Sequence, residues 1–134
     1  MAAQDELMFL GTIRHLTERT PESSIHFMTI DELLEKVRAQ AKEKGFGLTP
    51  DEVSIPEKIA LIHSEISEAY KAYRHKNIKG KDGFEEELGD AIQRILHLCV
   101  AYGIDIEQVI LKKMEHNKDR TWDWDKMNEG HAKK

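Results

Sequence analysis

Two carboxylate pairs, Glu65 with Glu68 and Glu87 with Asp90, stand at helical spacing inside one stretch from Pro56 to Tyr102. Residues three apart are neighbours on one face of a helix, so each pair sends two acids to the same side. On the first segment, at about 100° per residue, Ile59, Ile62, Ile66, Ala69, Tyr70 and Tyr73 form an apolar arc. His63, Ser64, Ser67 and Lys71 take the opposite side, and Glu65 and Glu68 fall on the flank between, with Leu61 and Ala72. On the second segment Leu88, Ala91, Ile92, Ile95, Leu98, Cys99 and Tyr102 make the stripe, with Glu87, Asp90 and Arg94 along its edge. Two such helices side by side would gather four carboxylates.

Like charges this close repel, and partial burial makes ionisation dearer still. A cation is therefore expected among them. Hard oxygen ligands without thiolate or imidazole suit Mg²⁺, with Mn²⁺ as the other candidate, and such ions take further ligands from substrate phosphates. A di-iron site of the ferritin kind would need Glu-x-x-His on two helices. No such tetrad occurs, and His63 and His97 read as helix-surface or boundary residues. Arg94 can bridge Asp90 one turn back as an i,i+4 pair or face a ligand.

Helix start signals recur along the chain. Thr29 with Glu32, Ser54 with Glu57, Asp82 with Glu85 and Asp105 with Gln108 each set a capping side chain three residues before an acid or amide. Four helices follow. The first is predicted over about 30–44, burying Leu33, Leu34, Val37 and Ala41 and stopped by Gly45. The second starts at Pro56, a residue suited to a first helical turn, and fades near Lys76. The third covers about 84–101 with Gly103 as its cap, and the fourth about 106–118. Asn77 to Gly83, with Lys79 and Lys81, reads as a solvated basic turn or, in the alternative, as a mobile flap near an anionic ligand. The fourth helix places Lys113 and Asn117 on the same arc as Ile106, Val109, Ile110 and Met114, and polar groups facing inward need a partner there. Short connections and the absence of β-type alternation predict an all-α, antiparallel four-helix bundle-like domain over residues 29–120. Residues 1–28 are expected to form an arm or short helix and 121–134 a tail.

The 134 residues suit one domain with a real core. A net charge of -5 argues against a general nucleic-acid binder, which needs a basic face. No run approaches the roughly 18 apolar residues of a membrane span, and Asp5 and Glu6 ahead of Leu7 to Leu10 do not make a signal peptide. The single Cys99 lies in an apolar helical run, where a buried reduced thiol is expected. A cytoplasmic setting follows.

The stretches 57–74, 86–94 and 103–120 resemble the all-α nucleoside triphosphate pyrophosphohydrolases, and more narrowly the MazG-like branch. That family is marked by E-E-x-x-E followed, after a spacer, by E-x-x-D. Ser64-Glu65-Ile66-Ser67-Glu68 and Glu87-Leu88-Gly89-Asp90 occupy those places, Ser64 standing where many members carry the first acid. The resemblance implies a MazG-type fold that assembles as a homodimer or homotetramer. It implies Mg²⁺-dependent cleavage of a nucleoside triphosphate between the α and β phosphates, giving the monophosphate and pyrophosphate, as in nucleotide-pool house-cleaning. Glu65, Glu68, Glu87 and Asp90 would then hold the metal, with Glu65 or Glu68 as the base, and Lys113 and Asn117 would contact phosphates. Phe46 is the best-placed aromatic to stack on a base, ahead of Trp122 and Trp124, although packing is the plain role for each. Two other readings stand beside this one: a non-catalytic helical interaction module, and a phosphoribosyl-ATP pyrophosphohydrolase using the same metal site.

Overall fold

A computed structural model of the chain describes residues 27–124. All but the last two residues of the expected N-terminal arm, and the end of the tail, lie outside them. The described residues form four α-helices: α1 (Ile30–Lys44), α2 (Ile55–Arg74), α3 (Phe84–Tyr102) and α4 (Ile106–Lys118). No strand occurs among the described residues, and the fold is all-α and bundle-like.

Three of the four expected starts are built as read. At α1 the Thr29 hydroxyl accepts from the Glu32 amide at 3.2 Å while the Glu32 carboxylate accepts from the Thr29 amide at 2.7 Å, a complete capping box. Ser54 accepts from the Glu57 amide and Asp105 from the Gln108 amide. Gly45 and Gly103 end α1 and α3 in the left-handed region, at φ 70° and 63°, where a Cβ would be strained.

The third start is different. Gly83, not Asp82, is the N-cap of α3, and no side chain caps it. The connector closes on Asn77 instead. Its side chain accepts from the Gly80 amide and donates to the Lys81 carbonyl, and its carbonyl accepts from the Phe84 amide at 2.9 Å. This turn draws Asp82 to φ 51°, where its amide donates to Glu86. A Cβ on Gly83 would lie 2.6 Å from the Gly80 carbonyl oxygen, so a side chain there would force the turn open.

α3 is the central element, antiparallel to α2 on one side and to α1 on the other. Along α2, Lys58 meets His97, Glu65 meets Arg94 and Tyr73 meets Phe84, so the order on α3 is reversed. Ala41 of α1, Ala69 and Ala72 of α2, and Ala91 and Ala101 of α3 are all buried. Small residues at such positions allow helix axes to approach closely. At the far end of α3 the Tyr102 hydroxyl donates to the Val53 carbonyl at 2.7 Å, tying the loop before α2 to the core.

The buried faces are rotated from those expected. On α2 the side against α3 carries Lys58, Ile62, Glu65, Ala69 and Ala72, while Ile59, Ile66, Tyr70 and Tyr73 are exposed. Leu88, Ile92 and Ile95 of α3 and Leu33 of α1 are likewise exposed, and Leu34 and Val37 only half-buried. A hydrophobic arc marks a face that needs cover, not which neighbour covers it. Here the alanine seam packs within the chain and the larger side chains look outward. α4 rests against α1 and buries no residue, leaving Val109, Ile110 and Met114 exposed. Its expected inward arc is therefore not part of this core. His97, read as a surface or boundary residue, is 5% exposed. Cys99 is buried as expected, and burial pushes its thiol above the usual range, which keeps it protonated and unreactive.

Candidate metal centre and adjoining cleft

The α2–α3 seam brings Glu65, Glu87 and Asp90 together, each with a carboxylate oxygen within 4.8 Å of the others. The i,i+3 spacing places Glu87 and Asp90 on one face of α3. Ala69, Ala72 and Ala91 let α2 come near enough for Glu65 to reach them. Glu87 is 9% exposed, Glu65 half-buried and Asp90 exposed, so the cluster opens to solvent at one side.

Burial, first of all, raises the Glu87 pKa above its ordinary value. A hydrogen bond with the Glu65 carboxyl and the charges of Glu65, Asp90 and Glu68 add to the effect. The site thus concentrates more negative charge than its own residues neutralise. A buried carboxylate crowded by two others is what a hard divalent cation relieves, and three oxygen donors with an open side suit Mg²⁺ or Mn²⁺. Among the described residues no histidine or cysteine joins this cluster.

Glu68 lies apart from the three. It is exposed and pairs one turn along with Lys71 at 3.5 Å, although its charge is felt at Glu87. Arg94 does not bridge Asp90. It reaches across the seam, its Nε and a terminal nitrogen donating to the same oxygen of Glu65 at 2.6 and 2.5 Å. The reason is reach: Glu65 sits half-buried opposite Arg94, where an ion pair is less screened than one at the exposed Asp90. Asp90 accepts instead from Gln93 at 3.4 Å.

Beside Arg94 lies a cleft of about 90 Å³ bounded by Val37, Gln40, Ala41, Phe46, Lys58 and His97 among others. Phe46 is 59% exposed and its ring is tilted against His97, with centroids 6.3 Å apart. The imidazole is fixed at both ends. His97 Nε2 donates to the Gly47 carbonyl and Lys58 Nζ donates to His97 Nδ1, both at 2.8 Å. A carbonyl can only accept, so the ring carries its proton on Nε2 and its lone pair on Nδ1. Desolvation lowers the Lys58 pKa, the Arg94 charge lowers it further, and Glu57 opposes both.

Lys58 and His97 escaped the sequence reading. Lys58 lies seven residues before Glu65, hence two helical turns away on the same face, which is the signal that could have found it. Nothing local marked His97, since its partners come from 39 and 50 residues away.

Lys113 is exposed, and no hydrogen bond or ion pair among the described residues links it or Asn117 to the acids. The Asn117 side-chain oxygen is nonetheless buried without a partner. Trp122 and Trp124 stack on each other, with Arg120 over Trp122, away from the cleft lining. No helix among the described residues is long and apolar enough to cross a membrane. Comparison with known protein families, with curated proteins and with solved structures returns no match to this chain.

Proposed function

We propose that the chain is a Mg²⁺-dependent nucleoside triphosphate pyrophosphohydrolase, cleaving its substrate between the α and β phosphates to the monophosphate and pyrophosphate. The observation that carries this reading is the meeting of Glu65, Glu87 and Asp90 around one point, with Glu87 disfavoured as an anion until a cation arrives. Glu65, Glu87 and Asp90 would hold the metal. When bound, Mg²⁺ supplies charge neutralisation for the phosphates and for the leaving pyrophosphate.

The residues have separable tasks. Arg94 occupies one oxygen of Glu65 and leaves the other for the ion, the kind of support that orients a ligand. Glu68, exposed and one turn from Glu65, is the carboxylate outside the triad that can accept the proton of an attacking water. Glu65, the other candidate base, is committed to Arg94. Phe46 offers an exposed aromatic face beside the cleft for a nucleobase. Lys113 and Asn117 reach phosphates only if another part of the assembly brings α4 to the site.

The exposed Ile59, Ile66, Tyr70, Tyr73 and Ile92 support assembly as a homodimer or homotetramer, since one chain leaves these large apolar side chains uncovered. The test is pyrophosphate release from a panel of nucleoside triphosphates and phosphoribosyl-ATP, with Mg²⁺ and with chelator. Release from triphosphates that chelator stops is the expected result. Release from phosphoribosyl-ATP alone moves the assignment to that reaction, and no metal-dependent release from any leaves a helical interaction module.

A further inference from the structure

We propose that Lys58 is an anion-binding residue of the cleft, contacting a phosphate oxygen of the bound nucleotide, and that His97 is the positioning residue that aims it. The inference rests on the hydrolase reading and adds to it two residues that the acidic motifs do not include.

Three observations converge on Lys58. First, among the described residues its ammonium closes no salt bridge, Glu57 acting on it only at longer range, and it lines the cleft half-buried. Its one fixed partner is the lone pair of His97, a neutral acceptor, so two of its three N–H donors stay available. Second, the imidazole cannot turn away, because its other nitrogen is committed to the Gly47 carbonyl and the ring is 5% exposed. A cation held at a set place by a buried neutral acceptor, with only the longer-range charge of Glu57 in its favour, is prepared to receive an anion. Third, its place along the groove is right. Seven residues at 1.5 Å rise put Lys58 about 10 Å from Glu65 along α2; Lys58 lines one cleft with Arg94 and Phe46, and Arg94 in turn reaches Glu65 of the acidic triad. Acids, guanidinium, ammonium and aromatic ring thus share one connected surface, as the parts of a nucleotide would require. An anion's charge offsets both the desolvation and the Arg94 repulsion that disfavour the charged lysine, adding to the favourable charge of Glu57.

The test uses the full chain, with Mn²⁺ binding followed by electron paramagnetic resonance, inorganic tripolyphosphate binding followed by calorimetry in Mn²⁺, and steady-state kinetics. Lys58→Met is expected to bind Mn²⁺ as the wild type does, to bind tripolyphosphate about tenfold or more weakly, and to raise KM well before it lowers kcat. Lys58→Arg should restore most of the tripolyphosphate affinity. His97→Gln should raise KM, and the double variant should be no worse than Lys58→Met alone, because both act through one contact. Should Lys58→Met fail to fold, Lys58→Gln keeps an N–H for His97 while dropping the charge, and carries the same expectation. Wild-type tripolyphosphate affinity in a variant lacking the charge overturns this inference and leaves the hydrolase reading standing. A wild-type chain that binds no Mn²⁺ overturns that reading itself.

Discussion

Arg94 closes two nitrogens on a single oxygen of Glu65, at 2.6 and 2.5 Å, across the seam between α2 and α3. The contact joins the acidic triad to the cleft, since Glu65 belongs to the first and Arg94 lines the second. Replacing Arg94 by Met should lower turnover about 10–100-fold, the usual cost of losing a partner that orients a metal ligand. The metal-free thermal midpoint should fall as well, because three carboxylates would face one another with no local cation. Arg94→Lys, without the planar fork, should recover only part of either loss. An unchanged rate in Arg94→Met would mean that Glu65 needs no such support.

Glu87→Gln should act in opposite directions on two measurements. In chelator the variant should melt at a higher temperature than the wild type, since it removes the acid most disfavoured by burial and by its neighbours. The rise in melting temperature that Mg²⁺ gives the wild type should disappear. Scanning calorimetry with and without Mg²⁺ reads both, and a preserved Mg²⁺ shift would take Glu87 out of the ligand set.

Glu68→Gln should still bind Mn²⁺ and nucleotide but turn over about 10²–10⁴-fold more slowly, the range for loss of a general base. Near wild-type turnover would pass the role to another group. A loss of metal affinity would instead place Glu68 among the ligands when the assembly is complete.

The loop between α1 and α2 predicts a pH dependence. Glu52 accepts from the Leu48 amide at 2.9 Å and from the Thr49 hydroxyl at 3.1 Å, and these bonds hold its pKa below the ordinary value. A depressed folded pKa adds stability above the unfolded carboxylate value, and that stability is lost as the pH falls through the folded one. Glu52→Ala should therefore melt below the wild type at neutral pH, with the gap closing in acid. Because this loop also presents the Gly47 carbonyl to His97, the same variant should raise KM. A gap independent of pH would remove the carboxylate's charge from the account.

Ile66 is 48% exposed on the outer face of α2. If that face joins copies of the chain, Ile66→Glu should shift the sedimentation coefficient from the oligomer's to the monomer's and lower activity with it. A monomeric wild type would end the assembly proposal.

Which parts of the molecule were legible along the chain follows the range of the forces involved. Capping at Thr29, Ser54 and Asp105 and the stops at Gly45 and Gly103 were readable because each depends on residues within four positions. The start of α3 was misassigned by one residue since Asn77, five positions upstream of Asp82, closes the turn and so decides where the helix can begin. Glu65, Glu87 and Asp90 were readable as a set, whereas Glu68 stays outside it in this chain.

By itself the sequence determined the four helices of the described residues, their ends apart from the start of α3, and the pairing of acids at i,i+3, all of which come from local backbone geometry and hydrogen bonding. Tertiary structure alone decided which face of each helix is buried. It packed the alanine seam of α2 inward and left Ile59, Ile66 and Tyr70 outside, because close approach of two helices depends on small side chains on both. It also decided that Arg94 answers Glu65 and not Asp90, and that His97 is locked between Lys58 and Gly47. Those partners lie 29 to 50 residues apart. No periodicity records such distances, since they exist only once two antiparallel helices have set their register.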